Sequence, residues 1–355
     1  MWHEARVVSE RIGTLPDVRR LRGAAPSAMN TTASAPRDSD RAVANGRSGG
    51  AAPATPSRHH RHNERRFRRA VRIGRWYERA SLPFAVVMLL GSGKIHPAYG
   101  MTRRRKFAVA RRLARNTRRI ETGISYKAHL AMLAKLLEIP PAVRGVVVEC
   151  GCWLGGTTAN LSIICDIVGR DLIVYDSFEG LPAPKPGDQM GPQVKGSFKG
   201  ALDAVQDNVS RHGVIDRCTF RKGWFSDTLG DHSEPIVMCF VDVDLKSSMH
   251  DCIVHLWPHL TEQGYLFFDE YVHLHNCSLF FSERFWRDHL DTTPPGLMGT
   301  GTGVGVGQYF LGPWLQTGTP MQRPSSIGYT RKDYDGRWDY RPEVDDAPPA
   351  PGIAT

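Results

Sequence analysis

The apolar positions of this chain fall into short continuous runs alternating with helical-period segments, and that order predicts a parallel sheet. Val146, Val147 and Val148 form a β-branched run that stops at Glu149 and enters a turn bearing Gly151, Gly155 and Gly156. Continuous apolar runs of this length, ended abruptly by glycine, mark a strand buried on both faces. Leu161, Ile164, Cys165 and Val168 then recur at helical spacing, closed by Gly169, and a second run, Leu172 to Tyr175, stops at Asp176. Strand, glycine turn, helix, strand, acid is half of a nucleotide-binding βαβ unit. In such units an acid roughly 20 or more residues past the glycines is placed to accept ribose hydroxyls.

Further on, Cys218 to Arg221, Ile236 to Val241 and Tyr265 to Phe268 read as strands, and Ala201 to His212 and His250 to Leu260 as helices. Thr300 to Leu311, where Gly alternates with Val, Tyr and Phe, reads as a closing hairpin. Upstream, Arg103 to Arg119 and Ser125 to Leu137 carry apolar residues at helical spacing, the second stopping at Pro140-Pro141. Leu181 to Gly200 is Pro- and Gly-rich and suits a lid over a site. The expected organisation is a disordered basic extension over 1–75, a helical lead-in over 76–142, an α/β domain over 143–317 and a polar tail over 318–355.

Charge changes the picture at one end only. The net charge is +10, yet residues 1–120 hold 27 Lys+Arg against 7 Asp+Glu, leaving the rest of the chain acidic. The run from Arg58 to Arg75 reads as a solvated arm. No helix-turn-helix, zinc finger or RNA-recognition pattern accompanies it, so no specific nucleic-acid role is expected. Leu82 to Gly91 (LPFAVVMLLG) is too short to span a bilayer. It is expected to dock on the body or on a second copy, making a homo-oligomer, with contact at a membrane surface as the alternative. Seven scattered cysteines argue against a disulfide framework and for a reducing, cytoplasmic setting.

The glycine spacing is not that of a dinucleotide fingerprint, and bulky Trp153 inside the turn argues against a pyrophosphate. S-adenosylmethionine fits instead: it has a ribose for Asp176, an ammonium that Glu149 helps neutralise, and no phosphate. Acids also end two later strands, at Asp242/Asp244 and at Asp269/Glu270. Acids gathered at the carboxyl edge of a sheet repel one another unless a cation lies among them, and an oxygen-only set suits Mg²⁺.

Five ordered motifs, ECGCWLGG, YDSFEGLP, RKGWFSDTL, FVDVDLKSS and GYLFFDEY, resemble the TylF/MycF-type macrocin O-methyltransferase family. The resemblance runs from about Ile95 to Gly312. It implies a Rossmann-like class I methyltransferase fold, with a seven-stranded, mostly parallel sheet and helices on both faces. It also implies S-adenosylmethionine and Mg²⁺ as cofactors and a hydroxyl of a sugar or polyol unit on a glycoside, glycolipid or polyketide as acceptor. A phenol or amine acceptor, or a non-catalytic module working through its basic arm, are the rival expectations. By position, Glu149, Gly151, Trp153 and Thr157 would line the methionine end of the cofactor. Asp176 would take the ribose with Phe178 beside it, and Gly223, Trp224 and Phe225 would border the adenine. Asp242, Asp269 and Glu270 would hold the metal. Asp242 and Asp244 are the candidate bases, and His273 and His275, just past the metal motif, are substrate-side candidates, His273 being the catalytic one. The chain departs from the family where it has Lys246 in place of a frequent Tyr, and Asp269-Glu270 in place of paired Asp.

Overall fold

The computed structural model describes residues 76, 79–91, 93–188, 195–272, 274–299 and 327–332. The sheet has the order β3-β2-β1-β4-β5-β7-β6. Five strands are parallel: β1 (Val146–Cys150), β2 (Leu172–Asp176), β3 (Cys218–Lys222), β4 (Ile236–Val241) and β5 (Leu260–Phe268). β7 (Gly328–Arg331) pairs antiparallel with β5, and the two-residue β6 (Met298–Gly299) pairs antiparallel with β7. The architecture is the Rossmann-like class I methyltransferase fold. Strand order reverses between β1 and β4, and that is where an open α/β sheet offers a crevice to a ligand.

The two-residue alternation along each strand sends side chains to two separate cores. Val147, Val174, Phe240 and Phe267 join one, with Leu130, Leu133 and Leu161 from the helices above. Val148, Ile173, Val241 and Phe268 join the other, with Met249, Ile253 and Trp286. Helices α1 (Leu82–Leu90), α2 (Arg103–Asn116), α3 (Tyr126–Glu138), α4 (Gly156–Val168) and α5 (Leu202–His212) belong to the first face. Helices α6 (Lys246–Leu256) and α7 (Glu283–Leu290) belong to the second.

Three elements differ from expectation. The helix expected over His250 to Leu260 begins earlier, at Lys246, and ends at Leu256. A short 3-10 turn with Pro258 at its centre follows, and Leu260 already opens β5. Proline lacks the N–H that would continue the helix, which explains the early stop. The early start has a tertiary cause: Asp188, from the Pro- and Gly-rich segment, accepts from both the N–H and the hydroxyl of Ser247, each at 2.8 Å. The third difference is β7, which lies in the stretch read as polar tail. The closing hairpin at 300–311, residues 189–194 of the lid segment and the extension over 1–75 all lie outside the described residues. All seven cysteines are free thiols.

Candidate active site

The turn after β1 is built by backbone packing. Gly151 has φ +84°, and a Cβ there would stand 1.9 Å from the carbonyl oxygen of Asp242. Only glycine lets the β1 turn lie so close to the end of β4. Its N–H donates to Tyr175 O at 2.9 Å, and the Asp242 N–H donates to Cys150 O at 2.9 Å. Three strand ends are therefore tied at one point. Asp176 completes the knot, accepting from Cys152 N–H at 2.7 Å through Oδ2 and from Phe178 N–H at 2.6 Å through Oδ1. Each carboxylate oxygen keeps a second acceptor site, so the partly exposed side chain still has capacity toward a ribose.

Above these ends opens a cleft of about 250 Å³. Of the residues predicted for the site, Gly151, Trp153, Thr157, Asp176, Gly223, Trp224, Phe225, Asp242, Asp244 and Asp269 line it. Trp224 and Phe225 follow β3 and form one wall. Trp153 meets Phe198 edge-on, with ring centroids 5.4 Å apart.

Three predicted residues stand behind the wall instead. Phe178 is buried against Phe220. Glu149 faces the first core, fully buried, and neither carboxyl oxygen has a hydrogen-bond partner. Burial lifts its pKa to about 8, against a smaller opposing effect of the nearby Thr158 hydroxyl. Beneath the turn, burial thus disfavours its charged form. Glu270 also turns inward: its Oε1 accepts from Val243 N–H at 2.9 Å and from Asp244 N–H, while Oε2 is buried with no partner. That bracket holds Asp244 in its left-handed conformation, φ +58°. His273 lies outside the described residues. Lys246 donates to Ser278 Oγ at 3.2 Å, and His275 Nε2 lies 2.5 Å from Gly187 O.

The strand-end acids repel one another. Burial, then the charges of Asp269, Glu270 and Asp244, hold Asp242 well above the usual carboxylate range. Burial lifts Asp244 to about 6. Such a cluster favours a cation, and the oxygen-only donors Asp242 and Asp269 suit a hard divalent ion. Glu270 does not complete the set, because its oxygens serve the backbone and the interior. Among the described residues no group of three acids, histidines or cysteines is placed to hold a metal.

Sequence reasoning missed part of the cleft. Glu121, Thr122 and Gly123, between α2 and α3, line it, as do Lys185, Ser247 and Asp251. Ser247 was legible in principle, since a helix starting just after a strand-end acid must point its N-terminus at the crevice. Nothing local in Glu121 to Gly123 marks it as part of a site.

A family model described as Macrocin-O-methyltransferase (TylF) matches residues 88–295, more than half of the chain. The chain is 31% identical over 141 residues to a tetracenomycin-type 8-demethyl-8-(2,3-dimethoxy-alpha-L-rhamnosyl)-tetracenomycin-C 4'-O-methyltransferase of Streptomyces olivaceus, covering 37% of this chain and 54% of the relative. It is 30% identical over 142 residues to the mycinamicin III 3''-O-methyltransferase of Micromonospora griseorubida, covering 36% and 56%. The chain thus spans about half the length of the curated relatives it matches. Among solved structures, the O-methyltransferase NovP aligns at 20% identity and a TM-score of 0.44, covering 72% of this chain and 99% of that one. Through the match over 88–295, the chain belongs to the macrocin O-methyltransferase (TylF) family.

Proposed function

We propose that this protein is an S-adenosylmethionine-dependent O-methyltransferase whose acceptor is a hydroxyl of a sugar or polyol unit on a glycoside, glycolipid or polyketide. The observation that carries the reading is one cleft. It joins the glycine turn, the ribose-side acid Asp176 and the aromatic wall Trp224–Phe225 to a cluster of acids at the ends of β4 and β5. The relatives named for 4'-O- and 3''-O-methyl transfer support the acceptor class.

S-adenosylmethionine supplies an electrophilic methyl group on a sulfonium, and Mg²⁺ would hold the acceptor oxygens and ease loss of a hydroxyl proton. Asp242 and Asp269 are the residues that would hold the ion. The protein's own part is to bind and orient. Asp176 accepts the ribose hydroxyls, and Trp224 and Phe225 offer flat apolar area to the adenine. Bound S-adenosylmethionine would supply that methyl group to the acceptor oxygen and would leave as the neutral thioether. The proton of the acceptor hydroxyl passes to a carboxylate, with Asp244 as our candidate base. Raised toward 6, Asp244 is a stronger base than an ordinary carboxylate and is still ionised near neutrality. Trp153 and Phe198, which line the cleft edge-on to one another, would help exclude water from it.

The test is calorimetric titration of S-adenosylmethionine into the wild type and Asp176→Ala, with and without Mg²⁺. This is followed by mass spectrometry of neutral glycosides incubated with both. Micromolar binding that Asp176→Ala weakens tenfold or more, about 1.4 kcal/mol, with a methyl mass added to an acceptor, is expected. No binding in either buffer would remove the cofactor assignment.

A further inference from the structure

Helix α1 contains only apolar side chains, LPFAVVMLL, and buries a single stripe of them: Ala85, Val86 and Leu90. Its other face is left outside. Phe84 is 68% exposed, Val87 64% and Met88 63%, and they recur at i, i+3 and i+4, one continuous stripe. Helices apolar all round are ordinarily buried, and contiguous exposed apolar patches mark contact surfaces.

The surroundings decide the occupant. Neither α1 nor α2 (RRRKFAVARRLARN) carries an acid. Arg103, Arg104, Arg111, Arg112 and Arg115 on α2 are all exposed. Arg79, Arg111, Arg115 and Arg118 line a shallow depression with Leu82, so the start of α1 lies against the arginines of α2. At the other end Lys106 donates to the Leu90 carbonyl. A two-fold contact between copies through this face would set arginine against arginine, because an isologous interface meets itself. Among the described residues, the charged side chains seen against α1 are cations, and an apolar stripe beside them complements a surface that is anionic outside and apolar just beneath.

We infer that α1 and α2 form a docking surface for an anionic phospholipid membrane, with Phe84, Val87 and Met88 entering the headgroup boundary and the α2 arginines meeting lipid phosphates. The cleft-lining residues Glu121 to Gly123 follow α2 directly, so the docked element leads into the cleft wall.

The experiment is sedimentation of the full chain with phosphatidylcholine vesicles, with and without phosphatidylglycerol, at low and high salt. Oligomeric state is measured alongside by light scattering. Binding only to the anionic vesicles is expected, weakened by salt. It should fall about tenfold in Phe84→Ser/Val87→Ser/Met88→Ser, whose positions are exposed and whose core is therefore untouched. Arg111→Ser/Arg115→Ser should weaken binding and its salt dependence together. The proposal is overturned if the wild type binds no anionic vesicle, or if the triple variant binds as well as the wild type. It is equally overturned if the wild type is a dimer that the triple variant dissociates without any vesicle binding, which would assign the face to a second copy.

Discussion

Replacing Gly151 with alanine tests the construction of the site most directly. The new Cβ would stand 1.9 Å from Asp242 O and 3.0 Å from its carbonyl carbon, at φ +84°. The turn has no easy retreat, since Gly151 N–H is bonded to Tyr175 O on one side and Cys150 O to Asp242 N–H on the other. A non-glycine residue in the left-handed region costs about 1–2 kcal/mol, and overpacking a rigid site adds about 1–3 kcal/mol. Together these give about 2–5 kcal/mol, or a fall in Tm of about 4–20 °C for a domain of this size. The same displacement would draw Cys152 N–H away from Asp176 and weaken S-adenosylmethionine binding at least tenfold. Thermal denaturation followed by circular dichroism and calorimetric titration read the two effects separately. A Tm within about 2 °C of wild type together with unchanged cofactor affinity would refute the claim that this contact sets the cleft.

Other expectations follow from buried and bridging groups. Glu149, with its folded pKa raised to about 8 from an ordinary 4.5, binds its proton more tightly folded than unfolded. It therefore costs stability as pH rises between those values, by about 1.4 kcal/mol per pH unit at most. Glu149→Gln should flatten that slope in urea titrations from pH 5 to 8. His129 carries the opposite sign: burial lowers it to about 3 from 6.5, so the unfolded chain takes up a proton first and stability falls as pH drops through that window. Denaturation midpoints measured down to pH 4 should show this loss, and His129→Gln should reduce it. Asp188→Ala removes the acceptor for Ser247 N–H and Oγ and should cost about 1 kcal/mol, as lost helix caps do. It should also raise the acceptor KM more than it lowers kcat, measured by methyl transfer to a glycoside. Trp286 is fully buried and donates to Leu279 O at 2.7 Å. Trp286→Ala should destabilise by about 3–5 kcal/mol, read as a large loss of denaturation midpoint.

By itself, the sequence determined the parallel strands and their acids. β1, β2 and β4 are continuous apolar runs because each is covered on both faces, and that burial writes itself into adjacent residues. Asp176, Asp242 and Asp269 follow because a residue at the end of a buried strand must emerge at the sheet edge. Tertiary structure decided which acid lines the cleft and which faces protein. Glu149 and Glu270 share composition and position with their neighbours, but two-residue alternation turns the first toward a core. The second is turned inward by two backbone N–H groups 26 and 27 residues away. β7 escaped the sequence reading for the same reason: GYTR is too short and polar to signal a strand until β5 supplies its partner. The start of α6 likewise depends on Asp188, 59 residues from the serine it caps. Local pattern reports what a segment buries. Which distant group satisfies its polar atoms is fixed only when the chain closes on itself.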